Sequence, residues 1–391
     1  MSSMGEHLFQ SFFLIFTGAA VIASLALYTR QPLLVAYIAL GALLGPYGFG
    51  LINDVNLVTE MSHIGIIFLL FLLGLDMQPK ALLSVLQKAT SVALISSAIF
   101  AVMGYIIGYA FGFSHQENLI IGMAMMFSST IIGIKLLPTT VLHHKHTGEL
   151  MVGLLLFQDF LAILCLMILL SGDLGKVDPQ QFGMTIAALP ALGLAAYLFV
   201  RFILLKLIAK FDRFHEYIFL LAIGWCMGLA EFASMIGLSA EIGAFIAGIT
   251  IATSPIAQYI AISLKPLRDF FLILFFFSLG ARFNLGLLGD VIIASLVLAA
   301  AILIIKPITF RVLLGRMSEK KSLAWDIGFR LGQISEFSLL IVFMAVTNGM
   351  IGDRASVLIQ ATAIMTFLVS SYIVIFNYPN PIAISDRLRR D

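Results

Sequence analysis

The stretch FLLFLLGLDM, Phe68–Met77, has a counterpart further along the chain. ILFFFSLGARF, Ile273–Phe283, resembles it, and the glycines of the two stretches stand 206 residues apart. Two glycine-rich apolar segments can resemble each other by chance, so a second match is informative. AYIALGALLGP at 36–46 and AFIAGITIATSP at 244–255 supply one, with an offset of 208 residues. The chain is therefore predicted to contain two copies of one structural unit.

The composition indicates a helical membrane protein. Of the 391 residues, 61% are hydrophobic and only 11% are charged, whereas a soluble domain carries about 25% charged residues. Runs such as 8–28 and 89–113 are apolar throughout and are long enough to cross the hydrocarbon core, which takes about 20 residues. Strands of a membrane β-barrel would alternate apolar and polar residues instead. A net charge of +2 does not indicate a nucleic-acid partner. Because the chain is so apolar, the expected partner is the lipid bilayer.

Clusters of polar residues, glycine and proline divide the chain into thirteen candidate spans. Their approximate bounds are 8–28, 32–51, 60–76, 89–113, 118–140, 147–171, 183–210, 214–235, 237–254, 266–283, 289–314, 322–347 and 353–377. With the N-terminus outside, Lys176, Arg282 and Arg354 lie on the outer side and nearly all other Lys and Arg residues on the inner side. Cytoplasmic loops collect basic residues, so the N-terminus is predicted outside and the C-terminus in the cytoplasm.

The two copies are predicted to have opposite orientations in the membrane. Seven spans separate corresponding elements, and an odd number inverts the second copy. Inverted repeats are typical of alternating-access secondary transporters, whose sites lie near the bilayer midplane at broken helices. We assign the repeats to about 32–171 and 237–377, linked by a helix at 183–210. They form a transmembrane region, 1–378, followed by a short cytoplasmic tail, 379–391.

One carboxylate interrupts the apolar run LLLFQDFLAIL at 154–164. A charged Asp159 at mid-membrane costs roughly 2.5–3.5 kcal/mol on insertion scales, and such residues usually mark ion or proton pathways. A carboxylate that merely bonds to a neighbouring helix is the alternative. Gln158 points roughly 100° away around the helix. We expect it to form a hydrogen bond between helices rather than to replace a second acid.

Three consecutive hydroxyl residues, Ser128, Ser129 and Thr130, interrupt the span at 118–140. Ser and Thr hydroxyls can bond back to carbonyls of the preceding turn and bend a helix. An unwound stretch frees backbone carbonyls, which are suitable ligands for a desolvated cation. A broken helix is therefore predicted here, with a face of small residues for helix packing as the alternative.

The second copy carries a polar interruption at the matching place. The segment RLGQISEFSLL at 330–340 contains Gln333, Ser335 and Glu336, and Ser128 shifted by 206 residues falls on Ile334 between them. Matching interruptions in inverted copies predict a crossed pair of broken helices.

A second charged residue, Lys306, lies within an apolar span and is followed by Pro307, which removes a backbone donor. A lysine at this depth either extends its side chain to the interface or pairs with a buried acid. We favour pairing, and Asp159 is the natural counter-charge.

The segments LLFQD, SST, GLSAEIGAFIAG, GPYGFGLI and GQISEFS together resemble the second cation:proton antiporter family. The Gln-Asp pair most resembles its KefC/KefB-type potassium efflux branch. The resemblance implies thirteen spans, a six-helix core domain for transport, a dimerisation domain and an elevator-like motion of the core. It also implies a homodimer in the inner, cytoplasmic membrane.

The same resemblance implies roles for particular residues. Asp159 matches the carboxylate that binds the cation, K⁺ or Na⁺, and the proton, with Gln158 where electrogenic members have a second acid or Asn. Residues 128–130 match the first crossing helix, and Lys306 is the candidate for the family's mid-membrane basic residue.

The potassium efflux systems continue into a long cytoplasmic nucleotide-binding domain, whereas this sequence ends with NPIAISDRLRRD. Either a regulatory domain or subunit is missing from this chain, or this member lacks that regulation, and glutathione gating is not inferred.

A single titratable site explains coupled exchange. Deprotonated Asp159 attracts a dehydrated monovalent cation, and protonation releases it. With one acid, we expect electroneutral exchange of one cation for one proton, with K⁺ favoured by the resemblance, and neither an enzymatic activity nor a cofactor. A transporter of organic anions would need a basic group or a helix N-terminus at the midplane. A cation channel would need filter rings from a symmetric oligomer. Both remain alternatives.

Overall fold

A computed structural model of the chain describes residues 2–29, 31–52, 55–76, 79–129, 133, 146–170, 179–211, 213–236, 238, 240–317 and 319–379. Within these ranges the chain forms helices and connecting segments and no β-strand. The α-helices are α1 (Ser2–Tyr28), α2 (Leu33–Leu44), α3 (Val55–Asp76), α4 (Pro79–Ala110), α5 (His115–Met125), α6 (His146–Leu170), α7 (Pro179–Phe199), α8 (Leu205–Lys210), α9 (His215–Met235), α10 (Ala240–Ala252), α11 (Ile256–Ala281), α12 (Leu288–Arg316), α13 (Lys321–Arg330), α14 (Glu336–Thr347) and α15 (Asp353–Asn377).

The helices confirm an all-helical membrane protein with several apolar spans. Among the described residues, six segments are long and apolar enough to cross a membrane: Phe9–Tyr28, Thr90–Ala110, Pro190–Lys210, His215–Met235, Leu285–Arg316 and Asp353–Asn377. Shorter apolar helices lie between them. Each of the thirteen segments predicted from the sequence overlaps at least one described helix. The number of spans and their orientation stay predictions.

Two of the predicted spans are not continuous helices. The segment predicted at 118–140 leaves helical geometry after α5, at Met125, and the segment predicted at 322–347 is divided between α13 and α14. Residues 331–335, between those two helices, are buried. Both interruptions fall where the sequence places its polar residues.

The start of α5 is fixed by a capping box. Gly112 adopts a positive φ of 78° after the end of α4, a conformation that favours glycine. The Ser114 hydroxyl then accepts a hydrogen bond from the Glu117 backbone N–H at 3.3 Å. The Glu117 carboxylate accepts one from the Ser114 N–H at 2.9 Å. These paired caps satisfy backbone donors that a helix start leaves free. They therefore fix the residue at which the first broken helix begins.

The chain divides into two compact units. The first comprises 1–53, 84–166 and 279–391, and the second comprises 54–83 and 167–278. Within the first unit, α12 packs against α13 and α15, and α14 packs against α5 and α15. Within the second unit, α10 packs against α3 and α9. The division into core and dimerisation domains stays a prediction.

The repeated glycines lie at close helix crossings. A Cβ atom on Gly74 of α3 would stand 2.5 Å from the Phe245 carbonyl oxygen of α10. In the other unit, a Cβ on Gly280 of α11 would collide with the Ile38 carbonyl oxygen of α2. Each predicted copy of the repeat therefore packs its second helix against the first helix of the other predicted copy.

Gly280→Ala is expected to lower the unfolding temperature, because the added methyl meets backbone that cannot rotate away. Overpacking of this kind typically costs about 1–3 kcal/mol. Gly224→Ala is the matched control, since nothing lies within 4 Å of its added Cβ and alanine favours a helix by up to about 1 kcal/mol over glycine. Thermal unfolding in detergent would measure both. Equal unfolding temperatures would contradict the close crossing.

Candidate functional site

Helix α6 carries the buried polar pair Gln158 and Asp159, which are 0% and 1% exposed. Its apolar residues Met151, Leu154 and Leu155 belong to a hydrophobic cluster shared with α4, α12 and α13. Because other helices surround α6 here, the polar pair faces protein and not lipid. Among the described residues, Asp159 is the only carboxylate that is fully buried.

The first helix break lies against Gln158. After α5 ends, residues 127–129 have no regular secondary structure and are buried. The backbone N–H of Ser128 donates a hydrogen bond to Oε1 of Gln158 at 3.0 Å, so the amide satisfies a donor that the break leaves free. Nε2 of Gln158 is buried and has no hydrogen-bond partner in the described part of the chain. Gln158 thus joins α6 to the break through its oxygen alone.

The two breaks contact each other directly. The Ser128 hydroxyl donates a hydrogen bond to the carbonyl oxygen of Leu331 at 2.9 Å. In return, the Ser338 hydroxyl, from the first turn of α14, donates one to the Ala124 carbonyl in α5. Each broken helix is therefore bonded to the other through one of its serines.

Ser335 shapes the start of α14. Its hydroxyl accepts a hydrogen bond from the Phe337 N–H at 3.1 Å. The Ser335 N–H donates to the Ser338 hydroxyl at 3.3 Å. Ser335 therefore acts as an N-cap in this structure, and Glu336 occupies the first turn of the same helix, partly buried.

Lys306, on α12, lies where the breaks meet. It is 0% exposed, and its Nζ donates hydrogen bonds to the Phe127 carbonyl at 2.6 Å, the Gln333 carbonyl at 3.0 Å and the Ser128 hydroxyl at 3.3 Å. The ammonium also lies 5.1 Å from the centre of the Phe100 ring. A lysine has three N–H donors, and all three are used by neutral oxygens. The side chain does not extend to the interface, and its pairing with Asp159 stays a prediction.

The remaining predicted residues are placed as follows. Ser129 is buried, and its carbonyl accepts a hydrogen bond from the Gly133 N–H at 3.0 Å. Thr130 lies outside the described residues. The side-chain Nε2 of Gln333 donates to the Arg330 carbonyl at 3.0 Å. Only the backbone oxygen of Gln333 reaches the lysine.

Three residues near the breaks were missed as site residues by the sequence analysis. Ser338 looks like an ordinary helical serine, and only the fold shows that it bonds to α5. Ser370, on α15, donates to Oε1 of Gln333 at 2.7 Å. Arg330 is 2% exposed at the end of α13. A charge within an apolar span was the available signal for Arg330.

The site combines one buried carboxylate with backbone carbonyl oxygens that would be hydrogen-bonded inside a continuous helix. The carbonyls of Phe127 and Gln333 are freed by the breaks and contact the ammonium of Lys306. Hard oxygen ligands suit an alkali cation, and a carboxylate can hold either a cation or a proton. The arrangement is therefore suited to binding small cations rather than to covalent catalysis.

A profile of the family described as "Sodium/hydrogen exchanger, transmembrane" matches residues 5–376. The chain belongs to the sodium/hydrogen exchanger family. This membership confirms the resemblance inferred from the sequence motifs and places the chain among transporters, not enzymes.

Curated relatives of this exchanger-family chain include plant and bacterial antiporters. "K(+) efflux antiporter 4" of Arabidopsis thaliana is 26% identical over 350 residues, which cover 87% of this chain and 59% of that protein. "Putative cation/proton antiporter YbaL" of Escherichia coli (strain K12) is 27% identical over 366 residues, covering 90% and 65%. The chain thus spans about three-fifths of the length of these relatives.

A solved structure shares the fold of this exchanger-family chain. The sodium proton antiporter MjNhaP1 from Methanocaldococcus jannaschii superposes with a TM-score of 0.71, covering 95% of this chain and 96% of the other. The two sequences are 17% identical, so the likeness concerns the fold alone.

Proposed function

We propose that this chain exchanges a monovalent cation for protons by alternating access, with K⁺ favoured over Na⁺ as the cation. One observation carries the proposal. A buried carboxylate, Asp159, stands beside Gln158, and Gln158 is bonded to a helix break whose carbonyl binds Lys306. The names of the potassium efflux relatives support the choice of K⁺.

Competition for Asp159 would couple the two ions. The charged carboxylate is costly at this depth, so it is stabilised either by a bound cation or by a proton, but not by both. A change that exposes the site to one side and then to the other would carry the two ions in opposite directions. We place the cation at Asp159, with oxygens of Ser128, Ser129 and Thr130 as further ligands.

The neutral neighbour of Asp159 favours electroneutral exchange. Gln158 carries no charge, and its Oε1 is already bonded to the backbone of the first break. One carboxylate holds either one monovalent cation or one proton, and the loaded site has the same net charge in both cases. One positive charge therefore crosses in each direction, and no net charge moves across the membrane. We therefore propose a stoichiometry of one cation to one proton.

The geometry of Lys306 favours a cation over an organic anion as substrate. An anion would need free donors, but all three ammonium donors of Lys306 bind protein oxygens. The cost of breaking these bonds would oppose anion binding.

We also propose the finer architecture that the family suggests: thirteen spans, inverted repeats, crossed broken helices, and separate core and dimerisation domains in a homodimer. The N-terminus would lie outside and the C-terminus in the cytoplasm, in the cell inner membrane. The contact between the breaks, through Ser128 and Ser338, supports the crossing. The packing of Gly74 and of Gly280, each against a helix of the other copy, supports the repeats.

Proteoliposomes that contain a pH-sensitive dye test the proposed exchange. Addition of K⁺, Na⁺ or Li⁺ in turn is expected to move protons across the membrane, with the lowest half-saturating concentration for K⁺. Liposomes without protein are the control. If none of the three cations changes the internal pH, the proposal fails. A lower half-saturating concentration for Na⁺ would overturn only the choice of K⁺.

Electroneutrality is tested by current measurement on a solid-supported membrane. A cation concentration jump is expected to give no net transport current in vesicles that show proton movement with the dye. A transport current in those same vesicles would contradict one-for-one exchange.

A further inference from the structure

A buried arginine stands immediately before the second helix break. Arg330 is the last residue of α13 and is 2% exposed. Burial of a charge is costly unless it is paired and hydrogen-bonded. Its Nε donates to the Asp326 carboxylate at 2.7 Å, one turn earlier in the same helix. This ion pair offsets the burial but does not by itself involve the break.

A second nitrogen of the guanidinium bonds to the segment that follows α15. Nη2 of Arg330 donates a hydrogen bond to the carbonyl oxygen of Pro379 at 2.7 Å. The guanidinium also lies 5.9 Å from the ring centre of Tyr378, within the range of a cation–π contact. Arg330 therefore ties the end of α13 to the segment that follows α15, 49 positions later in the chain.

The backbone of the same residue continues the connection to the site. The Arg330 carbonyl accepts a hydrogen bond from Nε2 of Gln333 at 3.0 Å, and the Gln333 carbonyl accepts one from Lys306 at 3.0 Å. The other end of the Gln333 amide is held by the Ser370 hydroxyl at 2.7 Å. The segment after α15 is thus linked to the lysine by successive contacts through two residues.

In the part of the chain that the structure describes, two further contacts link α15 to the second break and to the residue before Arg330. The Ile334 N–H reaches the Thr366 hydroxyl at 3.4 Å, and the Ser370 hydroxyl reaches the Phe329 carbonyl at 3.4 Å. Both distances are long for a hydrogen bond. The two 2.7 Å bonds of Arg330 are short and charge-assisted, a class that is roughly twice as strong as neutral bonds.

We propose that Arg330 is a positioning residue of the cation site. By bridging Asp326 and the Pro379 carbonyl, it fixes the second break so that the Gln333 carbonyl meets Lys306. The inference rests on the proposed exchange function and adds a residue to that site. Without the bridge, the Gln333 carbonyl moves away from the ammonium, and cation binding next to the breaks weakens.

A simpler role for Arg330 would be purely local. A basic residue in the last turn of a helix interacts favourably with the helix dipole, typically by about 0.3–1 kcal/mol. Lysine would fulfil that role. Lysine does not reproduce a guanidinium fork that bonds to two acceptors in fixed directions. Arg330→Lys therefore separates the local role from the bridging role.

The test measures cation-driven proton movement in proteoliposomes for the whole chain, with cation concentration varied. Arg330→Lys is expected to raise the half-saturating cation concentration about tenfold, because displacement of a binding group by about 1 Å weakens binding strongly. The maximal rate should stay within about twofold, as expected when binding alone is lost. Arg268→Lys is the matched control, because Arg268 pairs with Asp269 at an exposed position.

Ser370→Ala provides a second variant in case Arg330→Lys does not fold. It removes the hydroxyl that holds Gln333 but keeps Arg330, and it should raise the half-saturating concentration about threefold. Half-saturation at the wild-type value in the folded variants, whether or not the unfolding temperature falls, would overturn the positioning role. A wild-type protein that exchanges none of the cations would instead overturn the proposed function, and the role of Arg330 with it.

Discussion

Asp159→Asn is expected to abolish cation:proton exchange. Asparagine has the shape of the carboxylate but carries no charge and takes up no proton, so the site loses both of its competing states. We expect the exchange rate to fall by at least about a hundredfold, equivalent to roughly 2.7 kcal/mol in the barrier. The measurement is proton movement in dye-loaded proteoliposomes at several cation concentrations.

The same variant is expected to stay folded. Asp159 is 1% exposed, and a charged carboxylate at mid-membrane costs roughly 2.5–3.5 kcal/mol on insertion scales. A neutral amide of nearly the same shape avoids that cost, so we expect Asp159→Asn to unfold cooperatively in detergent, as the wild type does. Loss of exchange in a stable protein would separate function from folding.

Asp290→Asn is the control for Asp159→Asn. Asp290 is an exposed carboxylate in the first turn of α12, and its replacement should leave exchange unchanged. Wild-type exchange in Asp159→Asn would refute the assignment of the cation and proton site to this carboxylate.

Lys306→Met is expected to lower both the unfolding temperature and the exchange rate. Methionine resembles the lysine stem but has no donor, so the carbonyls of Phe127 and Gln333 lose a buried partner. An unsatisfied buried acceptor costs about 1–3 kcal/mol. Removal of the buried ammonium offsets part of this loss. We expect the unfolding temperature to fall by several degrees and exchange by at least about tenfold.

Lys306→Gln should give an intermediate result, because its amide keeps two donors on a shorter side chain. Lys321→Met is the control, since Lys321 is exposed at the start of α13. Thermal unfolding in detergent and exchange in proteoliposomes measure the series. Wild-type values for Lys306→Met in both assays would show that the three hydrogen bonds do not hold the breaks together.

The sequence predicts the helices and the positions of the breaks well, for physical reasons. Long apolar runs can satisfy their backbone groups in a membrane only as helices. Hydroxyl and amide residues in the middle of such runs indicate places where the backbone leaves the helix. Residues 128–129 and 333–335 both lack regular secondary structure, at the offset that the predicted repeat gives.

The partners of Lys306 could not be predicted from the sequence. A buried lysine suggests a carboxylate partner, because side-chain charges are visible in a sequence. The structure instead supplies backbone oxygens of Phe127 and Gln333, and any residue type carries those. Which carbonyls are free depends on where two distant segments cross. The same holds for the Pro379 carbonyl, which Arg330 contacts because the fold brings the segment after α15 next to the end of α13.

The packing of each repeated glycine against a helix of the other copy bears on how such a chain can arise. Gly74 fits against a helix of the second copy, and Gly280 fits against a helix of the first copy. A lone copy would leave its glycine without the facing helix unless another polypeptide supplied that helix. If the predicted inverted repeats arose by duplication, the unduplicated ancestor would therefore have been an obligate pair of chains, inserted in opposite directions.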